Sequence, residues 1–289
     1  MAMTGTLLVF GHGYSARALT RRLIPQGWRV IGTTRHRDKA AALAREGVDP
    51  LIWPGEDPAP ALAEATHLLA SIAPDEDGDP VLRAHAQAIA GAVHLRWVGY
   101  LSTTGVYGDH AGAWVDEDTP LAPTTERGRR RVSAERQWQE VCAHGGQRLH
   151  IFRLAGIYGP GRGPFEKLRR GTARRIVKPG QVFSRIHVED IARAIAASMA
   201  RPREGGAVWN LCDDDPAPPQ DVIEYAARLL GLTPPPDLDF ESDDLGEMAR
   251  SFYSESKRVA NARIKRDLDF SLRYPDYRSG LAAILEAES

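Results

Sequence analysis

Short apolar runs alternate with helical patterns along the first half of the chain. The runs predict six strands: Thr6–Phe10, Trp28–Thr33, Pro50–Trp53, His67–Ile72, Leu95–Leu101 and Leu149–Leu154. The helical patterns between them cover Arg17–Gln26, Asp38–Glu46, Val81–Ala92, and a helix that opens within Thr124–Arg136 and continues through Ser133–His144. Alternating strands and helices predict a Rossmann-type α/β fold, a doubly wound parallel sheet covered on both faces.

The pattern becomes less regular after Tyr158. Gly and Pro alternate in Gly159–Pro164, which predicts a loop, and Pro234–Pro236 forces an extended segment. The regular elements predicted in this part are the helices Ile191–Met199 and Gln220–Leu230 and the strand Val208–Leu211. We therefore predict a Rossmann domain over residues 1–160, to which 181–200 returns, and a smaller C-terminal lobe made mostly of 161–289.

The composition is that of an ordinary globular protein, with 43% hydrophobic and 26% charged residues. A formal net charge of -1 gives no general attraction to nucleic acid or to anionic membranes. The two cysteines, Cys142 and Cys212, form neither a disulfide framework nor a metal-ligand cluster, so no metal is expected. The chain start lacks signal-peptide features, and no apolar run reaches about 18 residues. We expect a soluble, cytoplasmic protein.

A glycine-rich loop, Gly11-His12-Gly13-Tyr14-Ser15-Ala16, follows the first predicted strand directly. Gly11 permits a tight turn, Gly13 lets the backbone approach a pyrophosphate, and Ala16 lets helix and strand pack closely. The helix N-terminus at Tyr14 and Ser15 offers N–H groups to an anion. The loop predicts dinucleotide binding at these positions, and an ordinary strand-to-helix turn is the alternative.

The end of the second strand favours NADP over NAD. An acidic residue there would bind a ribose 2′-hydroxyl, but the chain has Thr33-Thr34-Arg35-His36-Arg37. Arg35 and Arg37 can bind a 2′-phosphate in bidentate fashion, and the hydroxyls of Thr33 and Thr34 can donate to it. The alternative is that both arginines are solvated loop charges.

Four later stretches, in this order and spacing, resemble a known family. They are Ser102–Gly108 (STTGVYG), Arg153–Gly161 (RLAGIYGPG), Ile186–Asp190 (IHVED) and Trp209–Leu211 (WNL). Together with the loop they resemble the extended short-chain dehydrogenase/reductases, the nucleotide-sugar epimerase and dehydratase group, over nearly the whole chain. The Gly-x-Gly-x-x-Ala spacing departs from the Gly-x-x-Gly-x-x-Gly usual in that group, which indicates an atypical branch.

The resemblance implies a site in which a Ser or Thr, a Tyr and a Lys act together with the nicotinamide. Thr103 falls on the Ser/Thr position and is the candidate catalytic residue. Ser102 and Ser71 are expected beside the cofactor and Thr104 beside the substrate. The C-terminal lobe is expected to bind a small polar substrate or a nucleotide sugar, and pairing through helices is expected to give a homodimer.

The Tyr and Lys of that site are replaced by arginines. Glu135 matches the Glu that commonly follows the Lys by four residues, which places the Lys position at Arg131 and the Tyr position at Arg127. No Tyr lies between Gly108 and Ile157. Arginine cannot exchange a proton near neutral pH, because its pKa exceeds about 12. Arg131 can still donate to a cofactor ribose, and Arg127 can bind an anionic substrate group.

Other residues have weaker claims to the site. His187 could titrate near neutrality or serve as a structural hydrogen-bonding group. Glu189 and Asp190 are expected to cap the helix that begins near Ile191. The residues that could meet an anionic group of the substrate, or else be solvated, are Arg162, Phe165, Arg174, Arg175 and Arg185.

Two hypotheses follow from these residues. In the first, the protein is an NADP-dependent oxidoreductase or epimerase that uses Thr103 and an unidentified proton donor. In the second, it binds the dinucleotide without catalysis, as a sensor or regulator. The loss of both Tyr and Lys favours this second hypothesis, because the residues that would exchange the proton are missing. A subunit that has lost cofactor binding is a third possibility.

Overall fold

The computed structural model describes residues 5–242, 245–246, 250 and 252–288. The strands are β1 (Thr6–Phe10), β2 (Arg29–Thr34), β3 (Asp49–Ile52), β4 (His67–Ala70), β5 (Trp97–Thr103), β6 (Trp114–Val115), β7 (Leu149–Leu154), β8 (Gly156–Tyr158), β9 (Arg175–Val177), β10 (Arg185–His187), β11 (Ala207–Leu211), β12 (Asp237–Asp239) and β13 (Arg258–Val259). The α-helices are α1 (Tyr14–Leu23), α2 (Arg37–Arg45), α3 (Ala59–Glu64), α4 (Pro80–Gly91), α5 (Glu126–Gly145), α6 (Pro164–Arg169), α7 (Val188–Ala200), α8 (Pro219–Leu229), α9 (Ala262–Leu268) and α10 (Tyr277–Glu288).

A seven-stranded sheet with the order β11-β7-β5-β4-β1-β2-β3 confirms the predicted Rossmann-type fold. Strands β3, β2, β1, β4 and β5 pair in parallel. The chain runs from β1 to β2 and β3 on one side, then returns to place β4 on the other side of β1. This reversal is the topological switch point at which doubly wound sheets bind ligands, outside the carboxyl ends of the strands.

The chain forms two compact units. The first consists of Met1–Thr103, Glu126–Arg153 and Ile191–Trp209, and the second of Thr104–Thr125, Leu154–Asp190 and Asn210–Ser289. In this division the first part of the first unit ends at 103, and 126–153 and 191–209 belong to the same unit, whereas the prediction placed 1–160 and 181–200 together. Residues 104–125 belong to the second unit and begin with a 3-10 turn at Thr104–Tyr107, directly after β5.

Several element boundaries differ from the predictions. Helix α1 begins at Tyr14, three residues before the predicted start, and Ile24–Gln26 is a separate 3-10 turn. Helix α7 begins at Val188 rather than near Ile191. Helix α3 was not predicted, because prolines at positions 58 and 60 obscure a helix in which Pro60 occupies the first turn. Among the described residues, no helix is long and apolar enough to cross a membrane.

The first unit buries aromatic side chains on both sides of its sheet. On one side, Tyr100 stacks on Trp138, with 5.8 Å between ring centroids. On the other, His150 lies between Trp97 and Trp209, at centroid distances of 5.8 and 5.5 Å. Cys142 is buried, which raises the pKa of its thiol to about 12. The thiol is therefore unreactive, because the thiolate is the nucleophilic form.

Buried histidines make the stability of the protein dependent on pH. Burial lowers the pKa of His67, His150 and His187 from 6.5 to about 4, so all three are neutral in the folded protein. In the unfolded chain they bind protons below about pH 6.5, so each one lowers stability as the pH falls through this range. Asp213 acts in the opposite direction, because burial raises its pKa from 3.8 to about 8.

His150→Gln isolates one of these contributions. Glutamine can still accept the hydrogen bond that the backbone N–H of Arg203 donates to Nε2 of His150, at 3.1 Å. We expect the loss of stability between about pH 6.5 and 5 to be shallower in the variant by about 1.4 kcal/mol per pH unit. Guanidinium unfolding of both proteins across this range measures the difference, and parallel pH profiles would contradict the assignment.

Candidate functional site

The glycine loop lies at the switch point of the sheet, between the ends of β1 and β4. Gly11 has φ +84°, and a Cβ built on it would lie 2.6 Å from Cγ1 of Ile72. Only glycine combines that backbone conformation with so close an approach. Ser71 follows β4, and its N–H donates to the carbonyl of Phe10 at 2.9 Å, which places Ser71 beside the loop.

The backbone at Gly13 borders open space. A Cβ built there would have as its nearest neighbour the carbonyl oxygen of Gly11, at 3.8 Å. Gly13 is also the N-cap of α1, where no side chain of a described residue caps the helix and no acidic residue stands in the first turn. The positive end of the helix dipole therefore faces this space, as an anion-binding loop requires.

The other loop residues differ in burial. Tyr14 is half-buried, whereas Ser15 and Ala16, which also lie in the first turn of α1, are buried. Ala16 has no exposed surface. Ser15 is 6% exposed.

Thr33 stabilises the glycine loop through two hydrogen bonds. Its Oγ1 accepts the N–H of Gly11 at 2.8 Å, and its carbonyl accepts the N–H of His12 at 3.0 Å. Thr33 is only 2% exposed, so the structure assigns its hydroxyl to the glycine loop rather than to the solvent side where a 2′-phosphate was expected. Nothing in the sequence distinguishes this threonine from Thr34, whose Oγ1 accepts the N–H of His36 at 3.4 Å.

Arg35 and Arg37 stand at the exposed end of β2. Both side chains are exposed, and within the part of the chain that the structure describes neither forms an ion pair or a side-chain hydrogen bond. Two unpaired guanidinium groups, beside a half-buried threonine, leave this corner positively charged.

Helix α5 carries arginines with two different roles. Arg129 and Arg130 pair with Glu126 at 3.0 and 3.1 Å, on the exposed side of the helix, as solvated charges do. Arg131 is half-buried, and its Nη1 donates to the carbonyl of Leu101 at 2.6 Å and to the Tyr100 hydroxyl at 3.2 Å. Arg127 lies one turn before Arg131 on the same face and is exposed.

Glu135 pairs with an arginine that is distant in the sequence and not with Arg131, four residues before it on α5. Its carboxylate is 3% exposed and pairs with Arg153 of β7, whose side chain is 6% exposed, at 2.8 Å. The Ser102 hydroxyl donates to the same carboxylate at 2.5 Å. Ser102 is therefore part of a buried network that joins β5, α5 and β7, and its hydroxyl is directed away from any surface. Thr103, the next residue, is half-buried at the end of β5.

The two tyrosines of the recognised motifs are structural in the second unit. The Tyr107 hydroxyl donates to Oδ1 of Asn210 at 2.7 Å, and Nδ2 of Asn210 donates to the carbonyl of Ala260 at 3.1 Å. Tyr158 is buried, which raises the pKa of its hydroxyl, and it donates to the carbonyl of Asp276 at 3.3 Å. Thr104 begins the 3-10 turn that leads to Tyr107.

His187 does not titrate near neutrality. Its ring is 2% exposed and lies against Tyr158 and Tyr274, and burial lowers its pKa to about 4. Asp190 is not a helix cap, because α7 begins at Val188. Instead its carboxylate accepts the backbone N–H groups of Arg273 and Tyr274, at 2.8 and 2.9 Å.

The remaining basic residues of the second unit are dispersed. Arg162 is exposed, and its backbone forms a two-way bridge with Gly159, with both N–H···O distances at 2.9 Å. Arg175 pairs with Asp237 at 2.6 Å. Arg185 is half-buried, and its Nη1 donates to the carbonyls of Phe183 and Ala217, at 2.8 and 3.0 Å. Arg175 and Arg185 are therefore engaged by groups of the second unit itself.

Sequence reasoning missed Asp213. This carboxyl is 1% exposed, and neither of its oxygens has a hydrogen-bond partner of normal geometry among the described residues. Its backbone N–H donates to the carbonyl of Arg185 at 2.6 Å, which ties the end of β11 to β10. An acidic run directly after an apolar strand, Asp213-Asp214-Asp215, was the available signal.

The sheet order, the switch point and the glycine loop define a protein of the Rossmann class. A model of the NAD dependent epimerase/dehydratase family matches residues 84–212. Protein YeeZ of Escherichia coli (strain K12) is 31% identical, over 93% of this chain and 96% of YeeZ. The chain belongs to the NAD dependent epimerase/dehydratase family, as the sequence motifs indicated.

Solved structures extend this comparison. A functionally unknown conserved protein from Silicibacter pomeroyi DSS is 63% identical, with a TM-score of 0.94 over 98% of this chain and 99% of the other. MoeE5, solved in complex with UDP-glucose and NAD, is 21% identical, with a TM-score of 0.77 over 98% of each chain. The second likeness shows the fold alone.

Proposed function

We propose that this protein binds NADP at the glycine loop and acts as an oxidoreductase or epimerase on a small polar substrate. The open space at Gly13, before an uncapped helix with no acid in its first turn, is the observation that supports dinucleotide binding most directly. A pyrophosphate there would be held by the backbone of residues 13–15 and by the helix dipole. The bound dinucleotide would supply or accept a hydride.

The preference for NADP rests on Arg35 and Arg37. A 2′-phosphate at the end of β2 would be held by their guanidinium groups through charge-assisted hydrogen bonds. An NAD ribose offers no negative charge at that position. The supporting observation is that both side chains are exposed and unpaired among the described residues.

The double variant Arg35→Gln, Arg37→Gln tests this preference. We expect NADPH to bind about 10- to 100-fold more weakly, because one or two charge-assisted hydrogen bonds are lost, while NADH binding changes by less than about twofold. Fluorescence titration of each nucleotide provides the affinities. Arg22→Gln, an exposed arginine at the far end of α1, is the matched control. An equal loss for NADPH and NADH would refute a 2′-phosphate contact.

A non-catalytic sensor is the second candidate function, and the arginines of α5 favour it. Arg127 and Arg131 stand where the resemblance expects Tyr and Lys, and neither can exchange a proton. A hydride-transfer assay across aldehydes, ketones and nucleotide sugars separates the two functions. Turnover that depends on the Thr103 hydroxyl would support the enzyme, whereas nucleotide binding without turnover on any substrate would support the sensor.

A further inference from the structure

One face of α5 brings positive charge to the carboxyl end of β5. The hydrogen bonds from Nη1 of Arg131 to the Leu101 carbonyl and the Tyr100 hydroxyl place this face against the strand. Thr103 lies two residues beyond Leu101 and ends the strand. Arg127 is one helical turn away on the same face and is exposed, and its side chain makes no hydrogen bond or ion pair with any other described residue.

The titratable groups around this face are buried or already form hydrogen bonds within the protein. Tyr100 has no exposed surface, and burial raises the pKa of its hydroxyl. Glu135 is held by Arg153 and Ser102. Asp79 is 2% exposed and accepts Nε1–H of Trp138 at 3.0 Å together with the N–H groups that it caps on α4. The face therefore offers cationic hydrogen-bond donors beside groups that are buried or already engaged in hydrogen bonds.

We propose that Arg127, Arg131 and Thr103 bind a delocalised oxyanion, an enolate, and that the substrate is an α,β-unsaturated carbonyl compound such as an enone. This inference rests on the proposed oxidoreductase function. Guanidinium groups stabilise a negative oxygen without transferring a proton to it. The site therefore suits an oxygen that remains anionic after hydride has been accepted elsewhere in the molecule.

The chemistry of the acceptor explains why conjugation matters. Hydride added to an isolated ketone leaves a localised alkoxide, a strong base that needs a proton donor at once. Hydride added to the terminal carbon of a conjugated carbonyl forms a C–H bond and moves the π-electron pair onto the oxygen. The resulting charge is delocalised and weakly basic, so the arginines can hold it until solvent water protonates it.

The ionisation of a bound phenol tests the site without any turnover. 4-Nitrophenol changes its absorbance on ionisation, so its acid constant can be measured in the presence of saturating protein, with and without NADP⁺. An opposite charge in contact with an acid lowers its pKa by about 1 to 3 units, so we expect roughly tenfold or greater enhancement of the acid constant. Arg127→Gln, at an exposed position that does not endanger folding, is expected to remove most of it.

The matched control is Arg129→Gln, which changes an exposed arginine of the same helix outside the proposed site and is expected to keep the enhancement. An acid constant unchanged by the protein in both conditions, or an enhancement that survives in Arg127→Gln, would overturn the proposal. So would displacement of the phenol by equimolar inorganic phosphate, because the site would then recognise phosphate. NADPH binding without phenol ionisation would refute the oxyanion site alone, whereas phenol ionisation without NADPH binding would refute the proposed function alone.

Discussion

Glu135→Gln is expected to lower the free energy of unfolding by about 3–5 kcal/mol, because it leaves Arg153 charged and unpaired in the interior. Both side chains are almost fully buried, at 3% and 6% exposure, and their closest atoms are 2.8 Å apart. The same substitution weakens the acceptor for the Ser102 hydroxyl. Guanidinium unfolding monitored by tryptophan fluorescence measures the loss.

Glu126→Gln is the matched control for this prediction. Glu126 also pairs with arginines of α5, but its side chain is 58% exposed. Exposed pairs contribute about 0–1 kcal/mol, so the control should unfold almost as the unaltered protein does. A similar loss of unfolding free energy in both variants would show that the buried Glu135–Arg153 pair contributes no more to stability than an exposed pair does.

Gly13→Asp is expected to abolish dinucleotide binding while the protein remains folded. The new carboxylate would occupy the open space where the pyrophosphate is proposed to bind, and like charges in contact cost several kcal/mol, or on the order of 100-fold or more in affinity. The fold should tolerate the change, because a Cβ at Gly13 meets nothing closer than 3.8 Å and Asp is a good N-cap residue.

Two alanine variants define the cause of the effect. Gly13→Ala adds only a methyl group at the same point and should weaken binding far less than aspartate does. Gly11→Ala should destabilise the fold itself, because of the positive φ and the 2.6 Å approach to Ile72. Affinity by fluorescence titration and stability by unfolding separate these outcomes. Unchanged NADPH affinity in Gly13→Asp would place the nucleotide elsewhere.

Local sequence patterns were sufficient for the sheet and the loop. Apolar runs such as Thr6–Phe10 and Leu149–Leu154 match the observed strands, because buried parallel strands are apolar on both faces. The requirement for glycine at position 11 follows from the tight turn that the loop must make. These features depend on residues close in sequence, and for that reason they were predictable.

Contacts between distant residues were not predictable from one sequence. Glu135 has Arg131 four residues before it, but it pairs with Arg153, which lies on β7. Thr33 and Ser102 were both predicted to contact the cofactor through their hydroxyls. In the structure, the Thr33 hydroxyl accepts the Gly11 N–H, and the Ser102 hydroxyl donates to the Glu135 carboxylate. His187 looks titratable until burial against two tyrosines lowers its pKa to about 4.

The measurement that tests the account most directly is a fluorescence titration of the unaltered protein with NADPH and, separately, with NADH. We expect tight binding of NADPH and clearly weaker binding of NADH, because Arg35 and Arg37 add contacts that only a 2′-phosphate can accept. Absence of binding by either nucleotide would contradict it, because the loop at Gly11–Ala16 would then be a structural turn and both proposed functions would fail.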